Sequence, residues 1–215
     1  MEREGMEAAR RRMVEEQIVA RGIESPLVLD AFRAVPRERF VDEWLQERAY
    51  DDTPLPIGEG QTISQPFVVA LMIEAAGVGP GQRVLEVGAG SGYAAAAISR
   101  IADRVYAVER HAALGRAASE RLAVLGYDNV ELRIGDGTAG WREAAPFDAI
   151  IVSAGGEAVP PALKEQLAPG GVLVMPVGPQ RGGQRLLRLT RDSSDGYATE
   201  DLGGVAFVPL VGGEA

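Results

Sequence analysis

Val84-Leu85-Glu86-Val87-Gly88-Ala89-Gly90-Ser91-Gly92-Tyr93 passes from an apolar, β-branched run directly into a helical pattern. Its three glycines let the backbone approach a ligand where side chains would clash. The spacing is G-x-G-x-G, one residue tighter than the dinucleotide fingerprint G-x-G-x-x-G, and Glu86 stands just ahead of it. A pyrophosphate cradle needs a free helix N-terminus with no carboxylate beside it. S-adenosylmethionine (AdoMet) has no phosphate and carries an amino group and a sulfonium, both favoured by negative surroundings. The string therefore points to AdoMet. A dinucleotide site and a purely structural strand-to-helix turn are its alternatives.

Working outward, strand patterns at 83–87, 105–109, 130–134, 149–152 and 172–177 alternate with helical patterns at 92–101, 112–125 and 160–167. Such alternation predicts βαβ units with right-handed crossovers, hence an α/β, Rossmann-like, mostly parallel sheet with helices on both faces. Before it, 6–21 reads as an amphipathic helix stopped by Gly22, and Ser25 caps a second helix with Pro26 at its first position. After it, 185–190 and 205–210 have strand character around a polar turn at 192–196, predicting an antiparallel C-terminal edge. A chain of 215 residues supports one sizeable core. The expected organisation is a single domain, 1–215, comprising N-terminal helices and a substrate loop (1–65), the cofactor-binding core (66–180) and C-terminal strands (181–215).

Ligands of open α/β sheets bind at the carboxyl ends of the strands. Three acids fall there: Glu86, then Glu109 at the end of the next strand, then Asp136 between Gly135 and Gly137. Glu109, roughly 20 residues beyond the first glycine, is placed to accept both ribose hydroxyls of a nucleoside, with a solvated strand-end acid as the structural alternative. Asp136 suits an adenine amino group, with an Asx turn as the structural alternative. Asp148 reads as structural, near the cofactor pocket.

Composition narrows the function classes. With no cysteine, disulfides, thiolate metal sites and a cysteine nucleophile are excluded, and a reducing compartment is compatible. A net charge of −9 disfavours general phosphate-backbone binding. The N-terminus lacks the basic and apolar regions of a secretory signal, and the longest apolar runs, such as 67–73, are far short of a membrane span. The expectations are a cytoplasmic protein, monomeric, without metal, nucleic acid or membrane partners.

From Tyr50 to Gln65 the chain is turn-rich, with neither helical nor strand period. An ordered loop of that length is usually functional. Four strings within and around it carry a resemblance: Val35-Pro36-Arg37-Glu38-Arg39-Phe40-Val41, Leu55-Pro56-Ile57-Gly58-Glu59-Gly60-Gln61-Thr62-Ile63-Ser64-Gln65-Pro66, the glycine string, and Ala145-Pro146-Phe147-Asp148-Ala149-Ile150-Ile151-Val152. Together they resemble the protein-L-isoaspartate (D-aspartate) O-methyltransferase family over nearly the whole chain. The resemblance implies methyl transfer from AdoMet to the free α-carboxylate of L-isoaspartyl residues, with D-aspartyl residues as a further substrate, in damaged proteins awaiting repair. It places Ser64 at the active site within Thr62, Ile63, Ser64 and Gln65. It assigns the ribose to Glu109, the adenine to Asp136 and Gly137, and the methionine part to Gly88 and Gly90, within a cofactor set that also includes Glu86, Ala89, Gly92 and Tyr93. Two departures stand out. Ser153-Ala154-Gly155-Gly156 replaces the family's Thr-Ala-Ala, and Thr138 replaces the tryptophan of Asp-Gly-Trp.

A carboxylate with a reference pKa near ~4 is ionised at neutral pH, so its methylation needs no general base. The single histidine, His111, reads as a surface residue at a helix start. Ser64 would orient the substrate carboxylate. Its alternative is to cap the helix beginning near Pro66. No Gly-x-Ser-x-Gly elbow surrounds it. Competing readings are a methyltransferase of the same fold acting on a dedicated peptide or small molecule, and a non-catalytic AdoMet sensor.

Overall fold

The computed structural model describes residues 2–180, 183–193 and 196–213. Its centre is a seven-stranded sheet of β3 (Arg83–Val87), β4 (Arg104–Glu109), β5 (Val130–Ile134), β6 (Phe147–Val152), β7 (Leu167–Val177), β8 (Gln184–Arg191) and β9 (Tyr197–Val205), in the order β5-β4-β3-β6-β7-β8-β9. β3 through β7 pair in parallel, while β8 and β9 add the antiparallel edge. The chain order reverses between β3 and β6, and the crevice at their carboxyl ends is where such sheets bind ligands. Because alternate residues point to opposite faces, Val84 of β3 packs with the N-terminal helices while Leu85 and Val87 pack with Trp141 and Leu163 on the other side. Glu86 shares the face of Val84, which puts a carboxyl group into an apolar layer.

Helices α3 (Pro66–Ala75), α4 (Tyr93–Ser99), α5 (Ala112–Val124) and α6 (Pro161–Glu165) flank the sheet. Ahead of them, α1 (Glu2–Met13) runs into a π turn at Val14–Ile18 and a 3-10 turn at Val19–Arg21. The expected single helix is thus an α-helix only to Met13, and Val14 and Ile18 of the wider turn are both fully buried. Gly22 stops it in the left-handed conformation, with φ of 90°. α2 (Pro26–Ala34) carries the expected Ser25 cap, its hydroxyl accepting from the Val28 N–H at 3.5 Å. No helix among the described residues is long and apolar enough to cross a membrane.

Two further expectations are corrected. The segment before α3 is a β-hairpin, β1 (Leu55–Gly58) against β2 (Gln61–Ile63). Its two-residue turn places Glu59 and Gly60 at φ of 50° and 68°, the left-handed pair that suits the twist of antiparallel strands. Strands this short, with Pro56 and Gly58 inside, leave no period to read. The last strand is 197–205 instead of 205–210. It is an edge strand with polar residues exposed on both faces, whereas 206–210 leave the sheet and cross the strand ends. Of the turn predicted at 192–196, residues 194–195 lie outside the described residues.

Candidate active site

The glycine turn between β3 and α4 has φ of 86° at Gly88 and 54° at Gly90, values that L side chains rarely adopt. A Cβ on Gly90 would stand 3.0 Å from the Ile57 side chain of the hairpin. Gly88 and Gly90 both line a cavity of about 180 Å³. Gly92 instead packs on Leu122 and lines none of the described cavities. Ala89 and Tyr93 line a narrow extension of about 30 Å³ that Glu86 and Ser64 share.

Glu109 is buried at the end of β4 and faces the larger cavity. Its Oε2 accepts from the Gly90 N–H at 2.7 Å and its Oε1 from the His111 N–H at 2.8 Å. The acid thus fixes the glycine turn while each oxygen keeps a lone pair for a ligand hydroxyl. Glu86 is fully buried, and its Oε2 has no hydrogen-bond partner. Burial, reinforced by the neighbouring charge of Glu109 and only partly offset by the Ala95 N–H, pushes its carboxyl well above the usual carboxylate range. An orphaned carboxyl oxygen that a cation would help to ionise, a bare positive-φ backbone and a free face of Glu109 fit a cationic nucleoside such as AdoMet.

Gly137 lines the cavity, and a Cβ there would strike Val87 at 2.4 Å. Asp136, next to Gly137, does not itself line the cavity: its Oδ1 accepts from the Thr138 N–H and hydroxyl at 2.8 and 2.7 Å, and its Oδ2 from the Gly213 N–H at 2.8 Å. Burial alone would raise its pKa, but these donors outweigh burial and hold it below the usual range. The Asx-type turn given as the structural alternative is present. Asp148 lies elsewhere: it accepts from the Arg83 N–H at 2.8 Å, at the start of β3 and away from the strand ends that form the cavity.

On the other side, a cavity of about 540 Å³ is lined by Ser64, Gln65, Gln184, Gly204 and Phe207, among others. Thr62 and Ser153 border both this space and the cofactor cavity. Ile63 is buried and lines the narrow extension. Gln65 donates to Asp52 Oδ1 at 2.8 Å, pinning the segment from below. The capping alternative for Ser64 is corrected: Gln65 is the N-cap residue of α3 and no side chain caps that helix. Pro66 at the first helical position fixes the entry. The Ser64 hydroxyl makes no hydrogen bond among the described residues, while its carbonyl accepts from Arg37 at 2.8 Å.

Sequence reasoning missed the roof. Residues 208–211 close the cofactor cavity from above. They are held by Gly155, whose N–H donates to the Val208 carbonyl at 2.8 Å and whose carbonyl accepts from the Leu210 N–H at 2.7 Å. Gln184, itself buried, donates to the Phe207 carbonyl at 3.2 Å and accepts from its N–H at 2.7 Å. The one local signal was Gly155 itself, a departure from the family pattern: any Cβ there would meet Gln184 at 2.2 Å.

Comparison with known proteins agrees with this geometry. A family model described as protein-L-isoaspartate(D-aspartate) O-methyltransferase (PCMT) matches residues 8–215. A protein-L-isoaspartate O-methyltransferase of Methylorubrum extorquens (strain PA1) is 65% identical over 95% of this chain and 89% of its own, and one of Methylorubrum populi is 61% identical over 96% and 97%. Among solved structures, a protein-L-isoaspartate O-methyltransferase superposes with a TM-score of 0.86 at 29% identity, covering 94% of this chain and 66% of the other. A Plasmodium falciparum chain described as a beta-aspartate methyltransferase (PCMT), solved with S-adenosyl-L-homocysteine, gives 0.80 at 27% identity, covering 94% and 97%. This chain belongs to the protein-L-isoaspartate(D-aspartate) O-methyltransferase family.

Proposed function

We propose that this chain is an AdoMet-dependent carboxyl methyltransferase that esterifies the free α-carboxylate of L-isoaspartyl residues in damaged proteins, with Ser64 orienting that carboxylate. The observation that carries the reading is the hairpin segment Thr62-Ile63-Ser64, which forms the partition between the cofactor cavity and the wider cavity and presents an unengaged hydroxyl there.

When bound, AdoMet supplies an electrophilic methyl group on a sulfonium. Gly88 and Gly90 would underlie its methionine part, Glu109 would take the ribose hydroxyls, Gly137 and the adjacent Asp136 would flank the adenine, and Glu86 would meet the positive charge. The substrate carboxylate is already ionised, so no residue here has to remove a proton. Ser64 donates its hydroxyl hydrogen to one carboxylate oxygen and leaves the other aimed across the partition. An anion and a cation give neutral products, so water that solvates the charges opposes the reaction. The hairpin and the 208–211 roof exclude it. Orientation of two reactants can contribute ~7 to 11 kcal/mol, which makes positioning the main contribution of this site.

The wider cavity is bordered by backbone-rich positions, Gly183, Gly204 and Ala206. Such a wall supports recognition of a peptide main chain, and hence of isoaspartyl sites in varied sequences. The proposal includes D-aspartyl residues as a further substrate and a monomer acting in the cytoplasm. It is tested by incubating the protein with methyl-labelled AdoMet and an isoaspartyl peptide. The expected product is a base-labile methyl ester on the peptide. Labelling of a small carboxylic acid but not of the peptide would move the assignment to a same-fold enzyme with another substrate, and tight cofactor binding without any transfer would indicate a sensor.

A further inference from the structure

Arg37 is the largest fully buried side chain among the described residues, and no carboxylate among them pairs with it. It stands in the 3-10 turn Arg37–Phe40, far in sequence from the glycine turn. Its Nε donates to the Ala49 carbonyl at 2.7 Å and its Nη2 to the Ser64 carbonyl at 2.8 Å, while Nη1 has no partner. The guanidinium carbon lies 4.8 Å from the ring centroid of Tyr93. That ring is held edge-on by Phe32 and Phe40, at 5.9 and 5.6 Å, and Tyr93 is the first residue of α4 after the glycine turn.

Burying a guanidinium without an anion is unfavourable, and an apolar residue would fill the space at less cost. What an apolar residue cannot do is grip two carbonyls with one rigid fork and stack on an aromatic face at the same time. Those contacts join three parts of the site: the 49–50 turn, the Ser64 main chain and the cofactor helix. We propose that Arg37 is a positioning residue for the methyl transfer, holding the Ser64 main chain at a fixed distance from α4 and so aligning the Ser64 hydroxyl with the cofactor cavity. This rests on the reading of Ser64 as the carboxylate orienter. A shift of about 1 Å at such a group can cost on the order of 100-fold in rate.

The test is a double-mutant cycle with Arg37→Lys and Ser64→Ala, measured as kcat and KM for an isoaspartyl peptide, with S-adenosyl-L-homocysteine affinity and thermal melting for each protein. Lysine keeps the charge and the stem but not the two-point fork. Arg37→Lys is expected to lower kcat at least about tenfold, to leave S-adenosyl-L-homocysteine affinity within about twofold, and to lower kcat less than about twofold once Ser64 is alanine. An equal loss in both backgrounds, or a parallel loss of cofactor affinity, overturns the proposal. Arg37→Gln is prepared beside it. If neither variant folds, Arg37 belongs to the stability of the whole domain and the proposal falls. The single Ser64→Ala protein separates the two ideas: full turnover there removes the orienting role itself, whereas a slow Ser64→Ala enzyme with an additive cycle removes only the part given to Arg37.

Discussion

On the side proposed for the cofactor, the acids and glycines that line the cavity and its narrow extension follow three successive strands, β3, β4 and β5, within one stretch between Glu86 and Gly137. On the side proposed for the substrate, the wall is assembled from residues 62, 64–65, 153, 183–184 and 204–208, segments brought together only by the finished fold. The first wall is built on strand ends, and Glu109 fixes its glycine turn through bonds to the Gly90 and His111 N–H groups. The second is held by long-range side-chain clamps, Arg37 on the Ser64 carbonyl and Gln184 on Phe207. Damage to the first wall should therefore appear as lost cofactor affinity, and damage to the second as lost turnover or substrate affinity with the cofactor still bound.

The largest effect expected from breaking this division is at Glu109. Glu109→Ala removes charged acceptors worth ~1.5 to 3 kcal/mol each and also leaves the Gly90 N–H unpaired. S-adenosyl-L-homocysteine affinity should fall at least about 100-fold by calorimetric titration. Unchanged affinity in a folded variant would take Glu109 out of the site.

Next comes Ser64→Ala. It should lower kcat for an isoaspartyl peptide about ten- to 100-fold, the loss of one hydrogen bond to a charged group, and leave cofactor affinity within about twofold. Because the Ser64 hydroxyl does not cap α3, the melting temperature should hardly move.

Gln184→Ala probes the clamp on the tail. Two hydrogen bonds to the Phe207 backbone, each worth about 1 kcal/mol, should cost about 5 °C in melting temperature. KM for the peptide should rise more than kcat falls. A rise in cofactor dissociation constant alone would show that the two walls are not separable.

The smallest effect is a pH dependence. Glu86 has its folded value raised by burial first and by Glu109 second, so the folded state holds its proton more tightly than the unfolded chain. Its contribution to stability is whole below the unfolded value and is lost as pH rises through the folded one. A bound cation favours the ionised form. AdoMet affinity should therefore increase with pH, by at most about tenfold per unit, and the slope should disappear in Glu86→Gln. Parallel profiles for the two proteins would dissociate Glu86 from the cofactor's charge.

What could be read from the sequence follows the same division. β3 and β4 are legible as buried, largely apolar runs, and the edge strand β5 as an alternation of Val130, Leu132 and Ile134 with Glu131 and Arg133; each end is marked by a glycine or an acid. The hairpin over 55–63 was hidden because four- and three-residue strands with Pro56 and Gly58 show no period. β9 was hidden because an exposed edge strand reads Tyr-Ala-Thr-Glu-Asp, and the apolar 205–210 beside it took its place. Gly92 shares a motif with Gly88 and Gly90, yet spacing cannot tell a glycine that meets ligand from one that meets Leu122. Arg37 and Gln184 act through atoms distant in sequence, and no local pattern announces them.

The central claim is that rigid placement of one carboxylate, and no acid-base chemistry, selects the substrate. In an isoaspartyl residue the main chain runs through the side-chain carbonyl and leaves the α-carboxylate one bond from Cα, while a normal aspartate carries its free carboxylate one methylene further out. Reacting atoms must lie ~3 to 3.5 Å apart and in line, and a misplacement of ~1 Å costs on the order of 100-fold. The direct measurement is a matched pair of synthetic peptides that differ only in this linkage, assayed for ester formation with methyl-labelled AdoMet. Labelling of the isoaspartyl peptide at least about 100-fold faster than of its aspartyl twin is the predicted result. Equal rates for the two would contradict the account.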